Sequence, residues 1–314
     1  MLNLISPTKL QKQNILGLNQ RNTDYIMRYN PRHLYPLVDD KLRTKQLAVN
    51  VGIAVPKLYA TLEFNYQLKN LEALLEEHRS VVIKPAHGSG GNGILVITGK
   101  IGKHYRVSSG ELMSLNSIQH YVSNILAGMY SLSGLSDSAF LEYRVQFDPV
   151  FDAISFKGVP DIRIIVFKGI PISAMVRLPT SKSNGKANLH KDAVGVGVNL
   201  QTGTTLSGVI GNRITTVHPD TGCQIEGLII PSWDEILDIA ITCADTVELG
   251  YLGVDIVLDR QLGPLMLELN ARPGLNVQIA NQYGLLKSLK TIEKLQKLPK
   301  NNNQRVALAK SLLN

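Results

Sequence analysis

One stretch constrains this chain more than any other: Gly253-Val-Asp-Ile-Val-Leu-Asp259, then Arg260-Gln-Leu-Gly263, then Pro264-Leu-Met-Leu-Glu-Leu-Asn270. Both outer runs have strand composition, and the polar loop between them ends in glycine, so the stretch reads as a β-hairpin. A loop of four residues, Arg260–Gly263, sets Asp255 directly opposite Glu268. Side chains alternate along a strand, which places Asn270 on the same face as Glu268. The other face, Val254, Ile256, Leu258, Leu265, Leu267 and Leu269, reads as core. Two carboxylates and an amide oxygen thus share one polar spot above an apolar floor. Hard oxygen donors suit Mg²⁺ rather than zinc or copper. A bound cation would also relieve the repulsion between facing carboxylates. A plain surface hairpin with polar residues outward is the competing reading of the same spacing.

At 314 residues and 44% hydrophobic content, the chain can bury a large core and form two lobes. Its apolar runs fall far short of the roughly 20 residues needed to span a membrane. Residues 1–10 lack a basic start followed by an apolar stretch, so no secretory signal is read there. Cys223 and Cys243 form neither a disulfide framework nor a metal cluster, which fits a reducing, cytoplasmic setting. The formal charge of +8 favours anionic ligands such as nucleotides or acidic peptides. Lysines are dispersed, and neither zinc-finger spacing nor aromatic–basic interleaving occurs, so nucleic acid is not an expected partner. No membrane is expected as a partner either, and self-association is left open.

Along the chain, residues 1–38 are polar and basic, with helix up to Tyr29 and breaks at Pro31 and Pro36. Asp39 and Asp40 stand where a cap opens a helix from Lys41 to about Val51, closed by Gly52. Pro56–Leu62 reads as extended, and Leu68–Arg79 has amphipathic helical spacing. Ser80–Lys84 and Ile94–Thr98 are strands around a glycine loop. Residues 111–131 read as helix, with Leu112, Leu115, Ile118, Tyr121, Val122 and Ile125 roughly on one face. Strands are expected at Ala139–Gln146, Asp161–Lys168 and Ile172–Leu178. The segment Thr180–Ile214, rich in Gly, Ser, Asn and Lys, reads as loop with short strands at most. A helix runs from Trp233 to Leu249, another over 276–289, and a basic helical tail follows. Strands followed by helices, with antiparallel hairpins, point to an α+β fold rather than a doubly wound parallel sheet.

Val82-Ile-Lys84-Pro-Ala-His-Gly88-Ser89-Gly90-Gly91-Asn92-Gly93 carries G-x-G-x-x-G spacing. A dinucleotide fingerprint needs a helix after the glycines, whereas Ile94–Thr98 is another strand. A phosphate-binding Walker loop would need Gly-Lys-Ser/Thr, which is absent. What remains is a flap between two strands, too glycine-rich for an ordinary turn. Its backbone N–H groups stay open to phosphate oxygens, and Lys84 adds a point charge. Asp161 and Arg163 share one face of a strand, and Arg177 lies on the next. An arginine fork grips phosphate or acyl-phosphate; a surface salt bridge is the alternative for each.

In order along the chain, these elements resemble the ATP-grasp superfamily. The matching set is Lys41 in Asp-Lys-Leu, Lys84 in Ile-Lys-Pro, the 88–93 flap, Glu142 in Leu-Glu-Tyr143-Arg-Val, Asp161-Ile-Arg163, Arg177, Asp255, and Glu268-Leu-Asn270-Ala-Arg272-Pro-Gly-Leu. Within the superfamily the chain is most similar to the ribosomal-protein glutamate ligases (RimK-like), in a subgroup called glutamate-ligase-related. The resemblance covers roughly residues 39–285. It implies an ATP-grasp fold in which two α+β subdomains grip ATP: a flap-bearing one over about 55–140 and a metal-bearing one over about 141–290, within a domain over 39–290. Residues 1–38 would be a helical extension standing where relatives place a full α/β domain, and residues 291–314 a basic tail.

The resemblance also implies roles. Lys41 and Lys84 would contact the ATP phosphates, with Gly88, Ser89, Gly90, Gly91, Asn92 and Gly93 closing over them. Glu142 and Tyr143 would sit at the hinge that reads the adenine. Asp161 and His190 would join the nucleotide site, the latter from the Lys182–Asn199 loop. Asp255, Glu268 and Asn270 would hold two Mg²⁺, with Mn²⁺ as a substitute. Arg163, Arg177 and Arg272 would serve catalysis, the last by clamping a carboxylate or phosphate of the substrate. The implied reaction activates a small-molecule or peptide carboxylate as an acyl-phosphate, which an amine then converts to an amide; glutamate or another amino acid is the expected addition. Positioning and charge neutralisation suffice for it. Two rivals stand beside this ligase: a kinase of the same fold, and a non-catalytic nucleotide-binding module.

Overall fold

The computed structural model describes residues 7–88, 90–131 and 134–312. They form two compact units. One comprises Asp40–Leu42 and Val55–Val145; the other takes the residues up to Asp39, Arg43–Ala54 and everything from Gln146 onward. No helix among the described residues is long and apolar enough to cross a membrane.

The first unit holds a six-stranded antiparallel sheet in the order β1-β6-β2-β3-β4-β5. Its strands are β1 (Leu58–Leu62), β2 (Val81–Pro85), β3 (Leu95–Ile101), β4 (His104–Val107), β5 (Leu112–Met113) and β6 (Ala139–Tyr143). Helices Leu71–Glu77 and Leu115–Leu126 bury Leu71, Leu75, Ile118, Val122 and Ile125 with Val81, Ile83, Ile97, Ala139 and Leu141 of the sheet. The second helix begins three residues after Leu112 because Ser114 caps it, accepting a hydrogen bond from Ser117 N at 3.1 Å. Alternation sends Lys84 and Glu142 to the opposite sheet face from that core.

The second unit carries a seven-stranded antiparallel sheet in the order β11-β10-β9-β8-β7-β12-β13. The strands are β7 (Asp161–Phe167), β8 (Ile170–Leu178), β9 (Val194–Val198), β10 (Thr205–Ile210), β11 (Arg213–Thr215), β12 (Tyr251–Asp259) and β13 (Gly263–Asn270). The helix Trp233–Val247 packs on β7, β8, β12 and β13. Residues up to Asp39 are built into this unit: Leu16, Tyr25 and Ile26 share one buried cluster with Ile165, Phe167 and Tyr251. One face of β7 therefore starts with Asp161 and Arg163 and continues as core with Ile165 and Phe167.

Three sequence expectations change here. The segment 180–214, read as loop with short strands at most, carries β9, β10 and most of β11 of the seven-stranded sheet. Its Val194-Gly-Val-Gly-Val198 run is short of side chains for a steric reason: a Cβ at Gly197 would lie 2.7 Å from Ala280 O and 2.8 Å from Asn281 Oδ1. Glycine lets the helix Asn276–Asn281 lie flat on the sheet, and the buried Asn281 then ties Val198 N, Ala174 O and Val277 O together. Second, the helix expected over 276–289 breaks at Gln282, whose φ is 57°, and resumes as Leu286–Lys294. Third, Pro36 opens the short helix Pro36–Asp39 instead of breaking one. The cap on the next helix, Lys41–Asn50, is as expected, with Leu42 N donating to Asp40 Oδ1 at 2.9 Å.

Replacing Gly197 by valine should cost about 1–3 kcal/mol, since the helix must lift from the strand and Asn281 loses its geometry. Thermal unfolding of the variant checks this; an unaltered midpoint would contradict the close approach.

Candidate active site

The β12–β13 hairpin places Asp255 opposite Glu268 and Gly253 opposite Asn270, as the sequence suggests. The route differs. Asp259 pairs with Gly263, so the loop has three residues, and Gly263 adopts φ 72°. The tip is held by Asp259 Oδ1, which accepts from Gln261 N and Leu262 N at 3.0 Å. A bulge between the Asp255 and Ile256 pairs then restores the register. As a result Met266, not Leu267, lies opposite Ile256, and Leu265 pairs with Val257. Leu267 is only partly buried, a departure from the all-core face that the alternation implies.

Register also lines up the neighbouring strands. Asp161 of β7 pairs with Arg177 of β8, and Arg163 of β7 pairs with Asp255 of β12. The four side chains form one network. Arg163 donates from Nε to Asp255 Oδ1 at 2.7 Å and from Nη2 to Oδ2 at 2.6 Å. Arg177 donates from Nη2 to Asp255 Oδ2 at 2.8 Å, and its Nε and Nη2 hold both oxygens of Asp161. Asp161 and Asp255 are buried, and the two guanidinia nearly so.

The two carboxylates are driven apart electrostatically. Burial pushes Asp161 up to about 6, against the pull of Arg177. Burial also acts on Asp255, but Arg163 and Arg177 outweigh it and hold that carboxyl at about 2. Burial lowers the Arg177 pKa, but Asp161 and Asp255 outweigh it and the net shift is upward. Asp255 is therefore a fixed anion.

The donor chemistry fits a hard cation. A carboxylate offers about four lone-pair sites. Three guanidinium N–H groups occupy Asp255, leaving room for one more partner. Glu268 and Asn270, both partly exposed, share its face. Asn270 Nδ2 approaches Asp255 Oδ2 at 3.4 Å, a long contact, and turning the amide over would present its oxygen instead. Among the described residues no group of three or more His, Cys, Asp or Glu is placed so that it could hold a metal ion.

The lysines and the flap lie in the other unit. Lys84 pairs with the buried Glu142 across the face of β2 and β6. Lys41 reaches the flap, its Nζ donating to Gly88 O and its backbone N to Ala86 O at 3.1 Å. Gly90, Gly91 and Gly93 all have positive φ, and Gly93 lies where a Cβ would meet the Tyr130 ring at 2.7 Å. Gly88 bridges to Ser131, while Asn92 is exposed. Ser89 falls outside the described residues. Tyr143 donates its backbone N–H to Lys57 O at 2.8 Å. Sequence reading does not single out Asp137, yet this buried carboxylate accepts from His87 Nδ1 at 2.8 Å and from the backbone N–H groups of His87 and Ser138. Fifty residues separate the partners, so no local pattern announces them.

Two expected site residues stand apart from the ion network. His190 is exposed on the short turn Leu189–Lys191, its N–H capped by Asn188 Oδ1 at 3.0 Å. Arg272 is half-exposed, stacked over Tyr35 at 4.9 Å and 3.4 Å from Asp39 Oδ2.

The sequence profile of sugar-transfer associated ATP-grasp proteins matches residues 20–294. The chain belongs to this family. Its two antiparallel sheets with flanking helices are the ATP-grasp fold. No curated protein matches the chain. Among solved structures, this ATP-grasp protein is similar to the ATP-grasp ligase PsnB complexed with minimal precursor, at 17% identity and TM-score 0.45 over 84% of this chain and 62% of that one. It thus spans about three fifths of the length of PsnB. It is also similar to D-alanine–D-alanine ligase from Bacillus anthracis, at 12% identity and TM-score 0.48 over 96% and 78% of the two chains. For the D-cycloserine synthetase DcsG the values are 13% and 0.46 over 90% and 73%.

Sequence alone leads one to expect that Asp255→Asn and Glu268→Gln would both leave the fold of this ATP-grasp protein intact. The network separates them. Asp255→Asn takes the carboxylate from the nearly buried Arg163 and leaves Arg177 with Asp161 alone, and should cost about 3–5 kcal/mol. Glu268→Gln, at a partly exposed position, should change stability by no more than about 0.5 kcal/mol. Denaturant titration of both variants measures the difference; equal stabilities would overturn the assignment of Asp255 as the anchor of the network.

Proposed function

We propose that this protein is an ATP-dependent carboxylate–amine ligase acting through an acyl-phosphate. The observation that carries the reading is the row of two guanidinia against three carboxylates on β7, β8, β12 and β13. Phosphoryl transfer needs fixed positive charge beside the transferring group and acidic oxygens for the metal. Asp255, Glu268 and Asn270 would hold Mg²⁺, with a second ion and replacement by Mn²⁺ as part of the proposal. When bound, the metal supplies charge neutralisation at the ATP phosphates.

The chain's own residues do the rest. Lys41, Lys84 and the 88–93 loop bind the phosphates, and Glu142 and Tyr143 serve the adenine end. Asp161 fixes the Arg177 fork, and Arg163 and Arg177 face the transferring phosphoryl group. A substrate carboxylate oxygen attacks the γ-phosphorus and ADP departs with the bond to the bridging oxygen. The amine then attacks the acyl carbon, and inorganic phosphate leaves. The resemblance of the motifs to the ribosomal-protein glutamate ligases supports an amino acid such as glutamate as one substrate and a peptide or small amine as the other. We also place the nucleotide-binding body at residues 39–290, its flap half at about 55–140 and its metal half at about 141–290. The family's description favours one second reading, in which a sugar hydroxyl accepts the phosphoryl group and no amide forms.

Hydroxylamine trapping with MgATP and pooled cellular carboxylates, read by mass spectrometry, separates the two. A hydroxamate made by the wild type and absent with Glu268→Gln is the expected result and names the carboxylate. A phosphorylated sugar without hydroxamate would replace the ligase by the kinase.

A further inference from the structure

The loop Ala271–Leu275 follows directly on Asn270, and the N-terminal segment of the same unit grips it at alternate residues. The buried Asn30 donates through Nδ2 to Ala271 O at 2.9 Å and to Tyr251 O at 2.7 Å, while its Oδ1 accepts from Tyr251 N at 2.8 Å. Arg21 donates from Nη1 to Pro273 O at 2.8 Å. Ala271 and Pro273 are buried, whereas the residue between them, Arg272, projects from the surface. Its guanidinium lies over the Tyr35 ring and beside the half-exposed carboxylate of Asp39. Four residues of one segment thus converge on a single arginine: two hold the backbone on either side of it and two hold its side chain.

Two features set this apart from ordinary packing. Arg21 is buried but spends its guanidinium on a peptide carbonyl and the Asn22 amide, both neutral. Burying a charge without a charged partner is costly, so a backbone position is what the arrangement secures. Arg21 also opens a π-helical turn, Arg21–Ile26, a rare conformation that redirects side chains and recurs at functional sites. Asp39, in turn, is a loose partner for Arg272: its oxygens stand 3.4 and 3.5 Å away, beyond a good charge-assisted bond. An arriving anion can replace it.

We propose that Arg21 and Asn30 are positioning residues that fix the Ala271–Pro273 backbone, so that Arg272, shelved on Tyr35, presents its fork to the anionic group of the substrate. Asp39 holds that fork until the anion displaces it. The identity of the anion as a substrate carboxylate rests on the ligase reading above; the positioning does not.

Two readouts keep them apart. Phenylglyoxal modification of the full chain, mapped by mass spectrometry without any substrate, reports how firmly Arg272 is held. In Asn30→Ala and Tyr35→Leu, Arg272 labelling should accelerate by about fivefold while Arg163 and Arg177 label as in the wild type. Unchanged Arg272 labelling in Tyr35→Leu overturns the proposal whatever reaction the protein performs. Tyr35 and Asp39 are partly or well exposed, so these variants remain informative if Asn30→Ala does not fold. With the carboxylate captured as hydroxamate, the same two variants should raise its KM about tenfold while kcat and the KM for ATP stay within about twofold. Asp39→Asn should lower that KM by about threefold. A parallel rise in both KM values, or a fall in kcat alone, would assign the segment a merely structural role. If no carboxylate is captured, the ligase reading falls and the labelling alone decides the positioning.

Discussion

Asp255 is the residue on which this architecture turns. It lies on a strand buried from end to end, with Arg163 on one neighbouring strand, Glu268 on the other and Arg177 reaching in from one strand further. Antiparallel register alone brings these groups into line. The sheet cannot slip by one residue without sending every charge to the opposite face, into the apolar side covered by the helix Trp233–Val247. Burial makes the network specific as well as costly, since each guanidinium has its partner fixed by strand order. Burial raises Asp161 while Arg163 and Arg177 hold Asp255 down, so the two aspartates shift in opposite directions. One becomes a permanent anion, and the other serves to orient an arginine.

The sheet face that carries this network continues into a hydrophobic cluster closed by Leu16, Tyr25 and Ile26. The N-terminal segment is thus part of the body that bears the acidic residues. Its polar side chains work at the boundary between site and core, where Asn30 ties β12 to the loop after β13. Apolar packing supplies the attachment and a handful of hydrogen bonds supply the aim.

Much of this is legible in the sequence because it obeys period-two patterns. Asp161-Ile-Arg163 and Glu268-Leu-Asn270 announce their common faces by alternation, and the glycine run announces a loop with bare amides. Other parts are illegible for physical reasons. Val194-Gly-Val-Gly-Val198 looks like loop because its glycines answer to a helix lying on it, a constraint from distant residues. The Asp137–His87 pair and the Arg21–Pro273 bond join residues far apart in the chain, and no local period encodes them. The helix break at Gln282 depends on a left-handed residue that is not glycine, so composition gives no warning.

The hairpin tip holds a last consequence. Its loop is one residue shorter than the facing pair Asp255–Glu268 requires, and the bulge beside that pair returns the missing residue. The bulge is therefore a reserve of chain length stored next to the acidic pair. A chain that lost one residue at the tip could absorb the loss by straightening the bulge, keeping the three-residue loop and leaving the carboxylates opposed. Deletions at the tip and loss of the bulge should accordingly travel together among descendants of this sequence, while either change alone, with the loop held at three residues, would move one acid out of register with the other.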